Sequence, residues 1–157
     1  MSCVRGLSRY LPATFVLLLL CTGFSDILLS KDFTYAKATV ITGKGVTIPV
    51  EVSDSPAKRF LGLGNRDSLR AGWGMLFVFE DLKPHRFWMK KMRFPIDIIW
   101  LHNHRIVEIA QRVPPPEGDK EPVKLKPDHP CNFVLEIEAG RAEELGLAEG
   151  QRLRYQF

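Results

Sequence analysis

Cysteine is scarce in this chain and poorly placed for a framework. Only Cys3, Cys21 and Cys131 occur, none in a CxxC or CxxH pattern, so neither a disulfide scaffold nor a thiolate metal site is expected. An excess of one charge is also missing: 22 basic side chains stand against 18 acidic ones, a formal +4 with both signs mixed along the chain. The one basic cluster is Lys83, His85, Arg86, Lys90, Lys91 and Arg93. Without a reader motif or a dense basic face, nucleic acid is not an expected partner. There is no GxSxG nucleophile elbow and no GxxxxGK phosphate loop. No acid stands beside Asp97 in sequence as glycosidase or aspartic-protease chemistry would require. His102 and His104 have no third ligand near them, and zinc needs three or four. No metal and no cofactor are expected.

A long apolar run is lacking too, but a short one is present. Arg5 and Arg9 precede the stretch Leu11 to Leu20, and Asp26 breaks the weaker apolar character downstream of it. The run is shorter than the roughly 20 residues that span a bilayer, and a basic flank before it is the secretory pattern. Ala36-Lys37-Ala38 offers a small-x-small cleavage site, although far downstream of Leu20. Residues 1–38 are therefore expected to be a signal peptide or a membrane anchor, with one domain over 39–157. Leu20 is too large for the residue before a lipidated Cys21. Setting aside Arg5, Arg9, Lys31 and Lys37 against Asp26 and Asp32 lowers +4 to +2, so the exported part is nearly neutral.

The remainder reads as short strands. Val46, Ile48, Val50 and Val52 alternate, paired through the Gly43-Lys44-Gly45 turn with Thr39 to Ile41, and Pro49 marks an edge or bulge. Ser55-Pro56 opens a short helix whose apolar face is Phe60 and Leu63, with Gly64-Asn65 at its end. Further strands follow at Met75 to Phe79, Phe87 to Met89, Ile96 to Leu101, Arg105 to Val113, Phe133 to Ile137 and Arg152 to Phe157, with a small helix at Arg141 to Leu145. The run from Pro114 to Pro122 is a rigid loop, too short in proline for polyproline recognition. This spacing predicts a mostly β fold, a compact barrel or half-barrel with two or three short helices.

The chain is organised around Gly74 to Trp100, where two apolar blocks enclose a basic and aromatic middle. Asp97 stands inside Phe94-Pro95-Ile96-Asp97-Ile98-Ile99-Trp100. A carboxylate in such a strand needs hydrogen bonds or a cation. Arg59, Arg66 and Lys90 are the partners expected, either in a structural ion pair or around a ligand-binding cleft. Acid or base catalysis by Asp97 is a further option. Trp88, next to Lys90 and Lys91, can stack a planar or carbohydrate ligand or cap the open end of a barrel. Arg59 and Arg66 can clamp a carboxylate or phosphate.

These segments carry a resemblance. Ala57-Lys58-Arg59-Phe60-Leu61-Gly62-Leu63, Arg66-Asp67-Ser68-Leu69, Gly74 to Phe79, Phe87-Trp88-Met89-Lys90, Pro95 to Ile99, Val134 to Ile137 with Ala139-Gly140, and Leu145-Gly146 with Gly150 resemble the bacterial and archaeal family called domain of unknown function number 192. The resemblance spans Val50 to Gly150. It implies a compact β-rich fold with short helices, often behind a signal peptide, and no particular reaction. The chain departs from the family at Gly64, where methionine is usual, and at Lys91-Met92, where asparagine-threonine is usual. A ligand held by that pair would be altered or absent here. The approach to the last long strand, with Cys131 and Phe133, is variable.

The expectation is an exported, non-enzymatic ligand- or protein-binding module of the cell envelope, periplasmic or extracellular. Its cleft would lie around Asp97, Trp88 and Arg59 or Arg66. The expected partner is a small anionic or carbohydrate ligand or an envelope protein, with membrane contact only through residues 1–38 if they stay uncleaved. The alternatives are a small envelope enzyme using Asp97 as acid or base, and a purely structural or interaction domain.

Overall fold

The strands that read as doubly apolar form the middle of one curled sheet, and their alternation gives that sheet two buried faces. A computed structural model of the protein describes residues 33–157; most of the expected signal segment, residues 1–32, lies outside the described residues. The strands are β1 (Ala36–Ile41), β2 (Thr47–Ser53), β3 (Gly74–Lys83), β4 (Phe87–Trp88), β5 (Ile96–His102), β6 (Arg105–Val113), β7 (Lys124–Leu125), β8 (Cys131–Glu138) and β9 (Arg154–Gln156). Helix α1 is Pro56–Leu61 and helix α2 is Arg141–Glu144. Seven strands form the main sheet in the order β6-β5-β8-β3-β2-β1-β9, and β4 pairs with β7 apart from it. The sheet is an open half-barrel. Its two ends approach through an Arg105–Arg152 bridge and the bond from Gly150 N to Ile106 O at 2.8 Å.

Strand alternation sorts the side chains. Val50, Val52, Leu76, Ile99, Leu101, Leu135 and Ile137 share one face with α2, Leu147 and Leu153. Met75, Phe77, Ile96, Ile98, Trp100 and Val134 share the other, under Leu63, Phe87, Met89 and Met92. Strands buried on both faces are near-continuous apolar runs, and Ile96–Leu101 is buried at every position. Each large side chain so enclosed contributes about 1.5–3 kcal/mol.

The expected hairpin β1–β2 is present in antiparallel register, Ala38 opposite Val50. It starts early: Ala36, Lys37 and Ala38, the small-x-small site from which a start at Thr39 was read, already belong to β1. Pro49 precedes the pairing of β2 with β3, which starts at Val50 opposite Gly74. At that point β2 is an edge and the missing N–H is not needed. β2 and β3 run parallel, a pairing that requires a crossover connection, and α1 lies in it. β3 continues through Glu80 to Lys83, beyond the expected end at Phe79, and β7 lies just past the Pro114 to Pro122 loop, where no strand was expected.

Candidate functional site

Helix α1 is set by its ends. Ser55 Oγ accepts from Lys58 N at 3.3 Å, and Pro56 takes the first position, where no N–H is needed. The helix stops at Gly62 (φ 52), whose N–H donates to Lys58 O. A Cβ at Gly62 would meet the Phe77 ring at 3.3 Å, so this turn lies directly on β3. The next turn is tied across to the loop after β4: Asn65 N donates to Lys91 O at 2.8 Å. Two walls therefore face each other, the end of α1 and the Lys90–Met92 turn.

Between them lies a small cleft of about 30 Å³, lined by Arg59, Phe60, Gly62, Gly64, Trp88, Lys90 and Met92, with Phe77, Phe87 and Glu136 below. Phe60 and Trp88 form its rim. They meet edge to face at 6.1 Å and remain 70% and 42% exposed. Lys90 Nζ lies over the indole, 5.0 Å from its centre. Of the apolar face expected from Phe60 and Leu63, Phe60 is an exposed aromatic and Leu63 takes the buried place.

Glu136 is the residue that sequence reasoning passed over. It is on β8 between Met75 of β3 and Ile98 of β5, in the row of the second apolar face. It is 5% exposed. No hydrogen bond or ion pair among the described residues takes up its carboxyl. Burial without compensation disfavours the charged form, and its pKa is pushed up from 4.5 to about 8, with the Arg66 charge opposing only in part. Arg66 is already engaged: its Nη2 is 2.6 Å from Glu51 Oε2 on β2, and its guanidinium lies 5.4 Å over the Tyr35 ring.

Asp97 goes elsewhere, and the expectation of a cationic partner for it is corrected. It is fully enclosed, and alternation turns it to the first face, away from Trp88. Its Oδ1 accepts from Arg112 N at 2.7 Å and from Gly140 N at 3.0 Å, and its Oδ2 accepts from Ala142 N at 2.8 Å. Neither Arg59 nor Arg66 nor Lys90 reaches it. Arg112 is in the left-handed region (φ 52) beside a register shift between β5 and β6, the geometry of a bulge. Gly140 precedes α2 and offers no capping side chain. Asp97 thus replaces a local cap and pins the bulge, β5 and α2 together. With both oxygens engaged inside the protein, it presents no acid or base to solvent.

The other sequence candidates separate. Arg59 lines the cleft, donates from Nη1 to Val78 O at 2.8 Å and lies 5.1 Å over Phe79. Val78 is where β3 loses its register with β8, so the arginine serves a carbonyl outside the ladder. Trp88 and Lys90 line the cleft together. On its other side Trp88 borders a shallow groove of about 550 Å³ with Arg86, Phe87, Lys124, Leu125 and Lys126. Cys131 is buried, its thiol pushed up by burial, with Sγ 3.5 Å from Lys83 O. It behaves as a small apolar residue.

The sequence profile of the family described as uncharacterized ACR, DUF192, matches residues 38–155. Among solved structures, the chain is similar to a protein of Sinorhizobium meliloti 1021 described as a candidate transcription regulator, with TM-score 0.69 and 30% identity over 79% of this chain and 97% of that one. It is also similar to a protein of unknown function from Novosphingobium aromaticivorans DSM 12444, with TM-score 0.68 and 26% identity over 80% of this chain and 89% of that one. No curated protein matches the chain.

Proposed function

The chain belongs to the DUF192 family, and on that footing we propose that it is a non-enzymatic ligand-binding accessory module of the cell envelope. Its site is the cleft between the end of α1 and the Lys90–Met92 turn, which moves the site from Asp97 to Glu136 while keeping Trp88, Arg59 and Lys90. One observation carries the reading. A buried carboxyl with no hydrogen-bond or ion-pair partner among the described residues opens into a cleft whose rim is two exposed aromatic side chains. Buried polar groups are otherwise hydrogen-bonded, and an uncompensated one in a cleft is a functional candidate. Exposed aromatics beside it supply area for an apolar body. Arg66 supports the site from behind, through Glu51 and its charge on Glu136.

The basic-flanked run Leu11 to Leu20 supports export. The mass of the protein recovered from the envelope fraction tests it, and uncut protein found only in the cytoplasm defeats it. A ligand search on the purified full-length protein, read by thermal shift, tests the site. A stabilising compound whose effect disappears in Trp88→Ala, while that variant keeps its own cooperative melting transition, supports the cleft. Compounds that stabilise wild type and Trp88→Ala alike place the ligand elsewhere and refute it.

A further inference from the structure

We propose that this cleft, granted that it is the binding site argued above, recognises the carboxylate end of a small organic acid whose apolar body lies across Phe60 and Trp88. The space is the first constraint. About 30 Å³ holds one or two water-sized atoms. That suits the two oxygens of a planar carboxylate and is too small for tetrahedral sulfate or phosphate. The bulk of the ligand must stay outside, where Phe60 and Trp88 are exposed.

Charge is the second constraint. Arg59 and Lys90 line the walls, and Arg66 acts on the floor. Cationic walls repel an ammonium group and attract an anion. The floor supplies the third constraint. Glu136 keeps its proton up to about pH 8, and in that state it donates one O–H. A carboxylic acid donating to a carboxylate makes a charge-assisted bond. Above that pH two like charges would meet in a buried site, and binding fails.

The groups around Glu136 fit this reading. Glu51 of β2 is in its row, two strands away, and is paired with Arg66. Tyr35, ahead of β1, lies under Arg66. Arg59 comes from α1 and Lys90 from the turn after β4. The neighbours in its row on β3 and β5 are Met75 and Ile98, which carry no charge. Glu136 itself sheds its proton at about pH 8.

The test uses full-length protein, titration calorimetry and the NMR signal of the Trp88 indole N–H. The probes are phenylacetate, phenylacetamide, phenethylamine and N-acetylphenylalanine, at pH 6 and pH 9. Phenylacetate is expected to bind at pH 6, to shift the indole signal, and to lose about tenfold or more in affinity by pH 9, as loss of one proton over at least one pH unit requires. The amide and the amine should bind at least about tenfold more weakly than the acid, since a charged donor–acceptor bond is lost. In Glu136→Gln the side chain donates N–H at every pH, so the acid still binds and the pH dependence flattens. Equal binding of N-acetylphenylalanine identifies a chain end as the source of the carboxylate, and its exclusion identifies a free acid. A wild-type affinity independent of pH overturns the inference. So does an amide or amine that matches the acid. If such a ligand is lost in Trp88→Ala, the cleft stands and only the ligand class falls. No indole shift with any probe defeats both.

Discussion

Replacing Glu136 by glutamine should stabilise the protein, by an amount that grows with pH. In the folded state Glu136 holds its proton up to about pH 8, whereas an unfolded glutamate loses it near 4.5. Between those values the native state binds more protons than the unfolded one, so stability falls as pH rises. The penalty is absent below about pH 4.5 and complete above about pH 8. At 1.36 kcal/mol per unit of pKa, it amounts to about 3 kcal/mol at pH 7 and about 5 kcal/mol at pH 9. Glutamine has the same shape and no proton to lose, so the variant is spared this term. Every other titrating group is common to both proteins and drops out of the difference. Urea unfolding of both proteins at pH 4, 7 and 9 provides the measurement. The gain of the variant should be small at pH 4 and rise through the series. A gain that is the same at all three values would refute the claim that Glu136 is buried without a partner.

Other substitutions test other parts of the structure. Asp97→Asn should destabilise by about 2–4 kcal/mol in urea unfolding, because an amide N–H would face the Ala142 N–H and one charged acceptor is lost. Lys91 is exposed at φ 61, where asparagine is better tolerated, so Lys91→Asn should add about 0.5–1 kcal/mol to the same measurement. Ser55→Ala removes the cap of α1 and should cost about 1 kcal/mol. His85 is buried against Phe79, and burial lowers its pKa from 6.5 despite Asp81 nearby. The unfolded chain takes up that proton first on acidification, so stability is lost as pH falls below 6.5. His85→Phe should reduce that loss between pH 7 and pH 5, and an unchanged acid limb would count against a neutral His85.

Much of the fold was legible in local pattern. The alternation of Val46 to Val52, the Ser55-Pro56 start and the doubly apolar Ile96 to Leu101 each fixed an element because burial and capping act within a few residues. What escaped depended on distant pairing. Lys124-Leu125 is a strand only because β4 lies beside it. The polar end of β3 stays extended although nothing in Glu80 to Lys83 asks for burial. The parallel pairing of β2 with β3 is set by the crossover and not by either strand's composition. Helical period puts Phe60 and Leu63 on one face, but a helix of six residues has little face to bury, and Leu63 beyond its end takes the contact.

Asp97 lacks the expected cationic partner for a reason that alternation itself supplies. Asp97 and Glu136 have the same signature, one acid inside an apolar strand. Sequence gives each an expected need for a partner and cannot say which face either occupies. In the register of β5 with β8, Asp97 stands opposite Ile137, and Glu136 stands opposite Ile98, one residue out of step. The two acids therefore point to opposite sides of one sheet. On Asp97's side a bulge and the start of α2 offer three N–H groups, and that acid is satisfied by backbone. On Glu136's side lie side chains, Arg59, Lys90 and the aromatic rim, with space left between them. Arg66 acts on Glu136, on the neighbouring strand, and Arg59 lines the same cleft. The acid left without a backbone partner is the one that lines the cleft.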